Sequence, residues 1–308
     1  MIAAAIDLGS NTVRVVVARK LSPGPWQILF QAQEITGLGK EVGRSGRIGP
    51  GAAERTLMVL SSYQEILSRF RLDELIVAGT EALRKATNAP EFLKRVEDTL
   101  GWRIRVLTGE EEARYAFLGI RYGPDTLPEQ IMALDIGGSS TELSVGKGRK
   151  LESWISLPVG AAVLGQEFLS SDPPPSRELE GMFSFLQEIL GPPLSAFRGH
   201  GSHLLVGTGG TITSLAAIHL GLADYDPSLV SQVSLSRRRI RGVFNRLCRL
   251  PLRQRMRVRG LEPGRADIIV PGIAILLSIM EILPRQAIRV SDGGLREGLL
   301  DSILGEGD

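Results

Sequence analysis

A chain of 308 residues, 43% apolar and 23% charged, has the composition of a globular protein and the length for two cores. Its net charge of +2 excludes a global attraction to polyanions, and its one cysteine, Cys248, excludes an intramolecular disulfide and fits a reducing compartment. The longest apolar segment, 268–283, is broken by Pro271 and Glu281 and is too short to cross a bilayer. The N-terminal apolar stretch lacks a basic flank and is interrupted by Asp7, so it reads as a first strand rather than a signal peptide, and a cytoplasmic protein is expected.

Residues 2–7 and 12–19 read as a hairpin. The segment 3–18, AAAIDLGSNTVRVVVA, matches 131–146, IMALDIGGSSTELSVG, without a gap. Asp7 falls on Asp135, Gly9 on Gly137, Thr12 on Ser140, and Val15 and Val17 on Leu143 and Val145. Each copy is an apolar strand ending at an aspartate, a tight turn, then a second strand. A plain hairpin explains either turn alone. Its duplication implies two related domains facing each other.

Pro23, Gly24 and Pro25 turn the chain into a third strand, 26–34. Six glycines lie in 36–51 with Lys40, Arg44 and Arg47 between them. This predicts a mobile loop with basic tips, either simply solvated or a lid over an anionic site. Residues 52–70 place Leu57, Leu60, Tyr63 and Leu67 on one helical face. A buried strand, 75–78, ends in GTEALR. Thr80 takes the N-cap position of a helix from about 81 to 86, and Arg84 sits one turn in. It is either a surface residue or a phosphate clamp near a helix N-terminus.

A helix at 91–100 and a strand at 103–107 lead to TGEEEAR. Thr108 would cap a helix running to about 122, and Glu110, Glu111 and Glu112 in its first turn suit the helix dipole. Lying between the two aspartate turns, one of these carboxylates could orient or deprotonate an attacking water, and Arg114 could help position it.

Residues 124–128 read as the junction, giving domains 1–125 and 126–308. The last helix, about 292–304, is free to pack back toward the first. In the second turn, Gly137 and Gly138 carry no Cβ, so backbone N–H groups can approach an anion closely. Ser139, Ser140 and Thr141 add hydroxyl donors, and Asp135 and Glu142 supply two hard-cation ligands. A third strand at 151–157, a helix at 160–168, a proline-rich linker at 170–176 and a helix at 177–190 follow. His200 and His203 lack an obvious third ligand and are read as loop. His219 is read as an ordinary helix residue.

A strand at 204–206 runs into Gly207-Thr208-Gly209-Gly210-Thr211 at a helix N-terminus, another natural place for phosphate or nucleotide. It is not a Walker loop. Residues 237–259 hold ten arginines, with no acid between 227 and 261. Such a run is either a solvated helix face or a surface that steers a long polyanion. It lacks interleaved aromatics, so nucleic acid is not expected as a partner. A buried helix at 272–283, a strand at 289–291 and a closing helix complete the chain.

In this order, DLGSNT, GTEALRKATNA, TGEEEAR, DIGGSSTEL, GTGGT, PGRAD and SDGGLREGLL resemble the exopolyphosphatase / guanosine pentaphosphate phosphohydrolase (Ppx/GppA) family in its short, two-domain form, from residue 2 to about 302. The resemblance implies an α/β, actin-like ATPase (ribonuclease H-like) fold: two similar domains, mixed sheets flanked by helices, with the active site in the cleft. It implies hydrolysis of a terminal phosphoanhydride of inorganic polyphosphate or guanosine pentaphosphate. Glu112 falls on the family's catalytic base. Asp135 and Glu142 fall on residues associated with Mg²⁺, with Mn²⁺ and a monovalent cation left open. Asp7, Gly9, Ser10, Asn11 and Thr12, Arg84, Gly137 to Thr141, and Gly209 and Gly210 fall around phosphate. Ser139 stands where the family usually has a third glycine. The additional helical domain of the long members is not in this sequence, so strong processivity is not expected. No membrane partner is expected, and a homodimer is left open. A same-fold phosphotransferase and a non-catalytic alarmone sensor are the competing functions.

Overall fold

The computed structural model describes residues 1–20, 26–121, 127–201 and 203–305. The turn expected at Pro23–Pro25 and part of the 124–128 junction lie outside the described residues. The chain divides into unit 1, Met1–Tyr122 with Gly293–Asp308, and unit 2, Gly123–Asp292.

Unit 1 opens with an antiparallel meander, β1 (Ile2–Leu8), β2 (Thr12–Lys20) and β3 (Trp26–Ile35). Then come α1 (Val42–Ser45), α2 (Pro50–Leu67), β4 (Glu74–Gly79), α3 (Glu81–Lys85), α4 (Ala89–Leu100), β5 (Arg105–Val106) and α5 (Gly109–Ile120). β4 lies parallel to β1 and β5 parallel to β4, giving the order β3-β2-β1-β4-β5. The strand period of two divides the apolar residues between the sheet's faces. Ala4, Ile6, Leu8, Val13, Val15 and Val17 share one core with Leu60, Tyr63, Phe92 and Val96 of α2 and α4. Ala3, Ala5, Val16 and Ala18 share another with Leu295, Leu299 and Leu300 of the closing helix. That helix therefore belongs to unit 1, although a division at 125/126 put it in the second half.

The glycine-rich stretch 36–51 is a loop apart from α1 and the start of α2, and it is hydrogen-bonded to the first turn. The N–H groups of Thr36 and Gly37 donate to Asn11 O at 3.0 Å, and that of Gly39 to Ser10 O at 2.7 Å. The Arg55 guanidinium donates twice to Thr36 O, at 2.9 and 3.1 Å. A Cβ at Gly39 would lie 2.8 Å from Ser10 Cβ, so only glycine lets this segment lie against the first turn.

Unit 2 repeats the meander as β6 (Gln130–Ile136), β7 (Thr141–Lys147) and β8 (Lys150–Leu157). It continues with α6 (Ala161–Phe168), α7 (Ser176–Leu194), β9 (Leu204–Thr208), α8 (Gly210–Leu220), α9 (Pro227–Val230), β10 (Ser234–Ser236), α10 (Arg237–Cys248), α11 (Leu252–Arg255), α12 (Ile269–Ile282) and β11 (Ala287–Val290). The closing helix, Leu295–Leu304, is α13. The order β10-β11-β9-β6-β7-β8 contains the unit 1 order, with β9 parallel to β6 and β11 parallel to β9. Each unit thus has the expected ribonuclease H-like arrangement, and β10 is an addition. Every residue of α12 except Glu281 is buried. That helix is the centre of the unit 2 core, where α7 and α10 pack against it.

Candidate active site

In unit 2 the site begins with strand register. Asp135 on β6 pairs with Glu142 on β7, Glu142 with Ser156 on β8, and Asp135 with Thr208 on β9. Residues directly opposite across a sheet point to the same face. One row therefore carries a hydroxyl, two carboxylates and a second hydroxyl at the ends of four strands. The Ser156 hydroxyl donates to Glu142 Oε1 at 2.9 Å. Thr208 Oγ1 is buried and has no hydrogen-bond partner.

The corresponding row in unit 1 has different chemistry. Asp7 pairs with Arg14, Arg14 with Gln33, and Asp7 with Ala78. The duplicated aspartates are thus equivalent in backbone only. A guanidinium lies opposite Asp7, where a second carboxylate lies opposite Asp135. The acidic pair that suits a hard cation occurs in unit 2.

The turn after each aspartate closes in the same way. Gly9 N–H donates to Thr12 O at 3.0 Å, and Gly137 N–H to Ser140 O at 2.9 Å. In unit 2 the turn is also the landing for α6. The N–H groups of Ala161 and Ala162 donate to Gly137 O and Gly138 O at 2.9 and 2.8 Å. These bonds satisfy donors that a helix start otherwise leaves unpaired. Gly160 touches the Gly138 backbone, where a Cβ would overlap it. The Thr141 hydroxyl donates to Val159 O at 2.6 Å, so it anchors this junction rather than pointing a donor at an anion. Ser140 is buried, and Gly137, Gly138 and Ser139 are partly open.

The third turn closes on the same aspartate. Gly209 adopts φ +85° and ψ 162°, and a Cβ there would overlap Asp135 Oδ1 and lie 2.9 Å from Ile136 O. A Cβ at Gly210 would overlap the Arg265 guanidinium, which is buried and donates through Nε to Glu262 Oε2 at 2.8 Å. Arg265 thus sets a cation against the N-terminal end of α8, where the helix dipole is already positive.

In unit 1 the three acids of α5 separate by role. Glu110 is exposed. Glu111 completes a capping box: Thr108 N–H donates to Glu111 Oε2 at 2.9 Å, and Glu111 N–H to Thr108 Oγ1 at 3.2 Å. That backbone bond, with the Arg105 ion pair, holds the Glu111 carboxyl below its usual range. Glu112 is instead held by Arg84, whose Nη1 donates to Glu112 Oε2 and to Leu107 O, both at 2.7 Å. Arg84 is thus a cation that positions Glu112, and Arg114, two residues on, is exposed. Thr80 does not cap α3 with its side chain. Its hydroxyl donates to Leu8 O at 3.3 Å and ties β4 to the end of β1. In the first turn, Asp7 and Thr12 are buried, Gly9, Ser10 and Asn11 are half-buried, and Asn11 Nδ2 lacks an acceptor.

Sequence reasoning missed Thr208, Ser156 and the Arg84–Glu112 pair. Thr208 carried a faint signal, because it directly precedes the glycines of a recognised turn. Ser156 carried none. Among the described residues no group of three or more acidic, histidine or cysteine side chains forms a metal cage. His200 and His203 pack edge to face at 4.8 Å, and burial lowers the His203 pKa. Two carboxylates in one row, with an unpartnered buried hydroxyl beside them, still suit a Mg²⁺-type ion. Such ions are held by one or two carboxylates and take their remaining ligands from water and substrate phosphate.

No helix among the described residues is long and apolar enough to cross a membrane. A family member from Aquifex aeolicus is 36% identical with a TM-score of 0.82, over 99% of this chain and 97% of that one. An exopolyphosphatase from Cytophaga hutchinsonii is 25% identical with a TM-score of 0.91, over 99% and 98%. An exopolyphosphatase-like protein is 25% identical with a TM-score of 0.90, over 99% of each chain. Residues 16–306 match the Ppx/GppA phosphatase family along their length, and the chain belongs to that family.

Proposed function

We propose that the protein is a Mg²⁺-dependent phosphoanhydride hydrolase that removes the terminal phosphate of inorganic polyphosphate. The 5′-phosphate of guanosine pentaphosphate is the other substrate of the same chemistry. The separation of the acidic triplet carries this reading. One glutamate faces solvent, one caps the helix, and Glu112 accepts a hydrogen bond from Arg84, which supports reading it as the general base.

The roles follow from the side chains. Water attacks the terminal phosphorus, and its proton passes to the Glu112 carboxylate. The bond from that phosphorus to the bridging oxygen breaks, and the shortened chain leaves with the electron pair. Phosphoryl transfer depends more on placement and charge neutralisation than on covalent help. The backbone of the Gly9 and Gly137 turns, with Ser10, Asn11 and Ser139, would hold phosphate oxygens. Arg84 would position Glu112 and share charge with the phosphate. A divalent cation held by Asp135 and Glu142 would neutralise charge on the anhydride oxygens.

The test is phosphate release from polyphosphate and from guanosine pentaphosphate, side by side, with Mg²⁺ or Mn²⁺ and varied K⁺. Glu112→Gln should lower kcat by about 10²–10⁴, the usual contribution of a general base. Unchanged turnover removes Glu112 from its role. ADP-dependent ATP formation in place of phosphate release would make the protein a transferase.

A further inference from the structure

The ten arginines of 237–259 fall into two groups. Four have partners within the fold. Arg237 donates to Met280 O at 3.5 Å, and Arg239 contacts the His219 ring at 2.8 Å. Arg241 lies over the Phe183 and Phe244 rings, and the buried Arg255 pairs with Asp172 at 3.0 Å. The other six, Arg238, Arg246, Arg249, Arg253, Arg257 and Arg259, are exposed. None of the six has a carboxylate or other side-chain partner among the described residues.

Helix geometry concentrates them. At about 100° per residue, Arg238, Arg239, Arg246 and Arg249 span only about a 100° arc of the α10 surface. The opposite side of α10 carries Ile240, Phe244, Leu247 and Cys248, all buried. The solvent side of the helix thus bears positive charge alone. An ordinary exposed helix mixes signs at i, i+4, and like charges at that spacing destabilise it by a few tenths of a kcal/mol per pair. Arg253 of α11 and Arg257 and Arg259 in the turn after it are exposed as well.

We propose that this arginine face of unit 2 is a docking surface for the body of a long polyphosphate chain, separate from the groups that hold its terminal phosphate. The inference rests on the polyphosphate reading above and adds a source of chain-length preference. A linear polyanion fits a strip of guanidinium groups without needing a pocket. No aromatic side chain stands on the solvent side of α10 to stack bases, which favours polyphosphate over single-stranded nucleic acid.

Binding of long-chain polyphosphate to the Glu112→Gln protein, measured across salt concentrations, tests this without hydrolysis. Each phosphate neutralised contributes about −0.7 to the slope of log K against log salt for a single-stranded polyanion. Six arginines thus give a slope of about −4, and R238Q/R246Q/R249Q about −2. Raising salt fourfold should weaken the first about 300-fold and the triple variant about 20-fold. In otherwise wild-type protein the triple variant should raise KM for long chains at least tenfold and leave tripolyphosphate KM and kcat unchanged. An unchanged slope in the triple variant overturns the proposal, as does single-stranded RNA that binds as tightly as polyphosphate. Polyphosphate binding that follows the arginines without any hydrolysis would instead remove the hydrolase reading and leave the surface in place.

Discussion

Gly209→Ala separates backbone strain from crowding at the proposed metal ligand. Gly209 lies at φ +85° and ψ 162°, a region essentially reserved for glycine, and forcing alanine there costs about 1–3 kcal/mol. The new Cβ would overlap Asp135 Oδ1 and crowd Ile136 O at 2.9 Å. Overpacking of that kind adds about 1–3 kcal/mol. Together these give about 2–6 kcal/mol, and a unit of this size should lose roughly 5–20 °C in Tm. Gly148→Ala is the control. Its φ is +55°, but no atom lies within 4 Å of the added Cβ, so only strain, about 1 kcal/mol, remains. Circular dichroism melts of the two variants give the difference directly. Divalent-metal titration of phosphate release then reports whether Asp135 has moved, and Gly209→Ala should need more metal for half-maximal rate. Equal Tm losses in the two variants would show that Asp135 does not occupy the space beside Gly209.

Arg84→Ala should lower kcat on every substrate while costing about 1.5–3 kcal/mol in stability, the range for a hydrogen bond to a charged group. Added guanidinium ion should restore part of the rate, and an Arg84→Ala enzyme with normal turnover would dissociate Arg84 from Glu112. Glu111 has a folded pKa below its ordinary value of 4.5, so its stabilisation is full above that value and is lost as pH falls through the folded pKa. Glu111→Gln should therefore flatten the acid limb of a stability-versus-pH curve by about 0.5–1 kcal/mol, with no effect once pH is well below the folded pKa. Burial pushes the Cys248 thiol up to about 11, so iodoacetamide at pH 8 should label it only on unfolding. Rapid labelling of the native protein would place the thiol at the surface.

The turns at Asp7 and Asp135 were legible because a strand, a tight turn and a strand are local events written in consecutive residues. The helix cap at Thr108 was legible for the same reason, although its reciprocal partner Glu111 was not. What the sequence hid is decided by register between distant segments. Position 142 is a glutamate and its counterpart 14 an arginine, yet only strand pairing shows that one faces Asp135 and the other Asp7. Thr208 joins the site through a parallel strand that arrives some seventy residues after Asp135. Thr141 looks like one more donor until Val159 O comes within reach of its hydroxyl. The glycines of 36–51 predicted freedom, but at Gly39 the missing Cβ allows contact. The arginine run gave its composition away at once, whereas its sorting into held and exposed members needed the partners in α7, α8 and α12.

The membership of α13 in unit 1 has a consequence for synthesis on the ribosome. Gly298 lies directly on the Tyr115 carbonyl of α5, and Gly119 on the Gly294 carbonyl, so this contact is backbone against backbone. Unit 2 is contiguous in sequence and can fold as soon as its last strand emerges. Unit 1, although begun first, keeps the apolar face of Ala3, Ala5, Val16 and Ala18 uncovered until residues beyond Gly293 leave the exit tunnel. The usual N-terminal-first order of domain folding is thereby inverted, and the nascent N-terminal half is the part that a holding chaperone would have to shield.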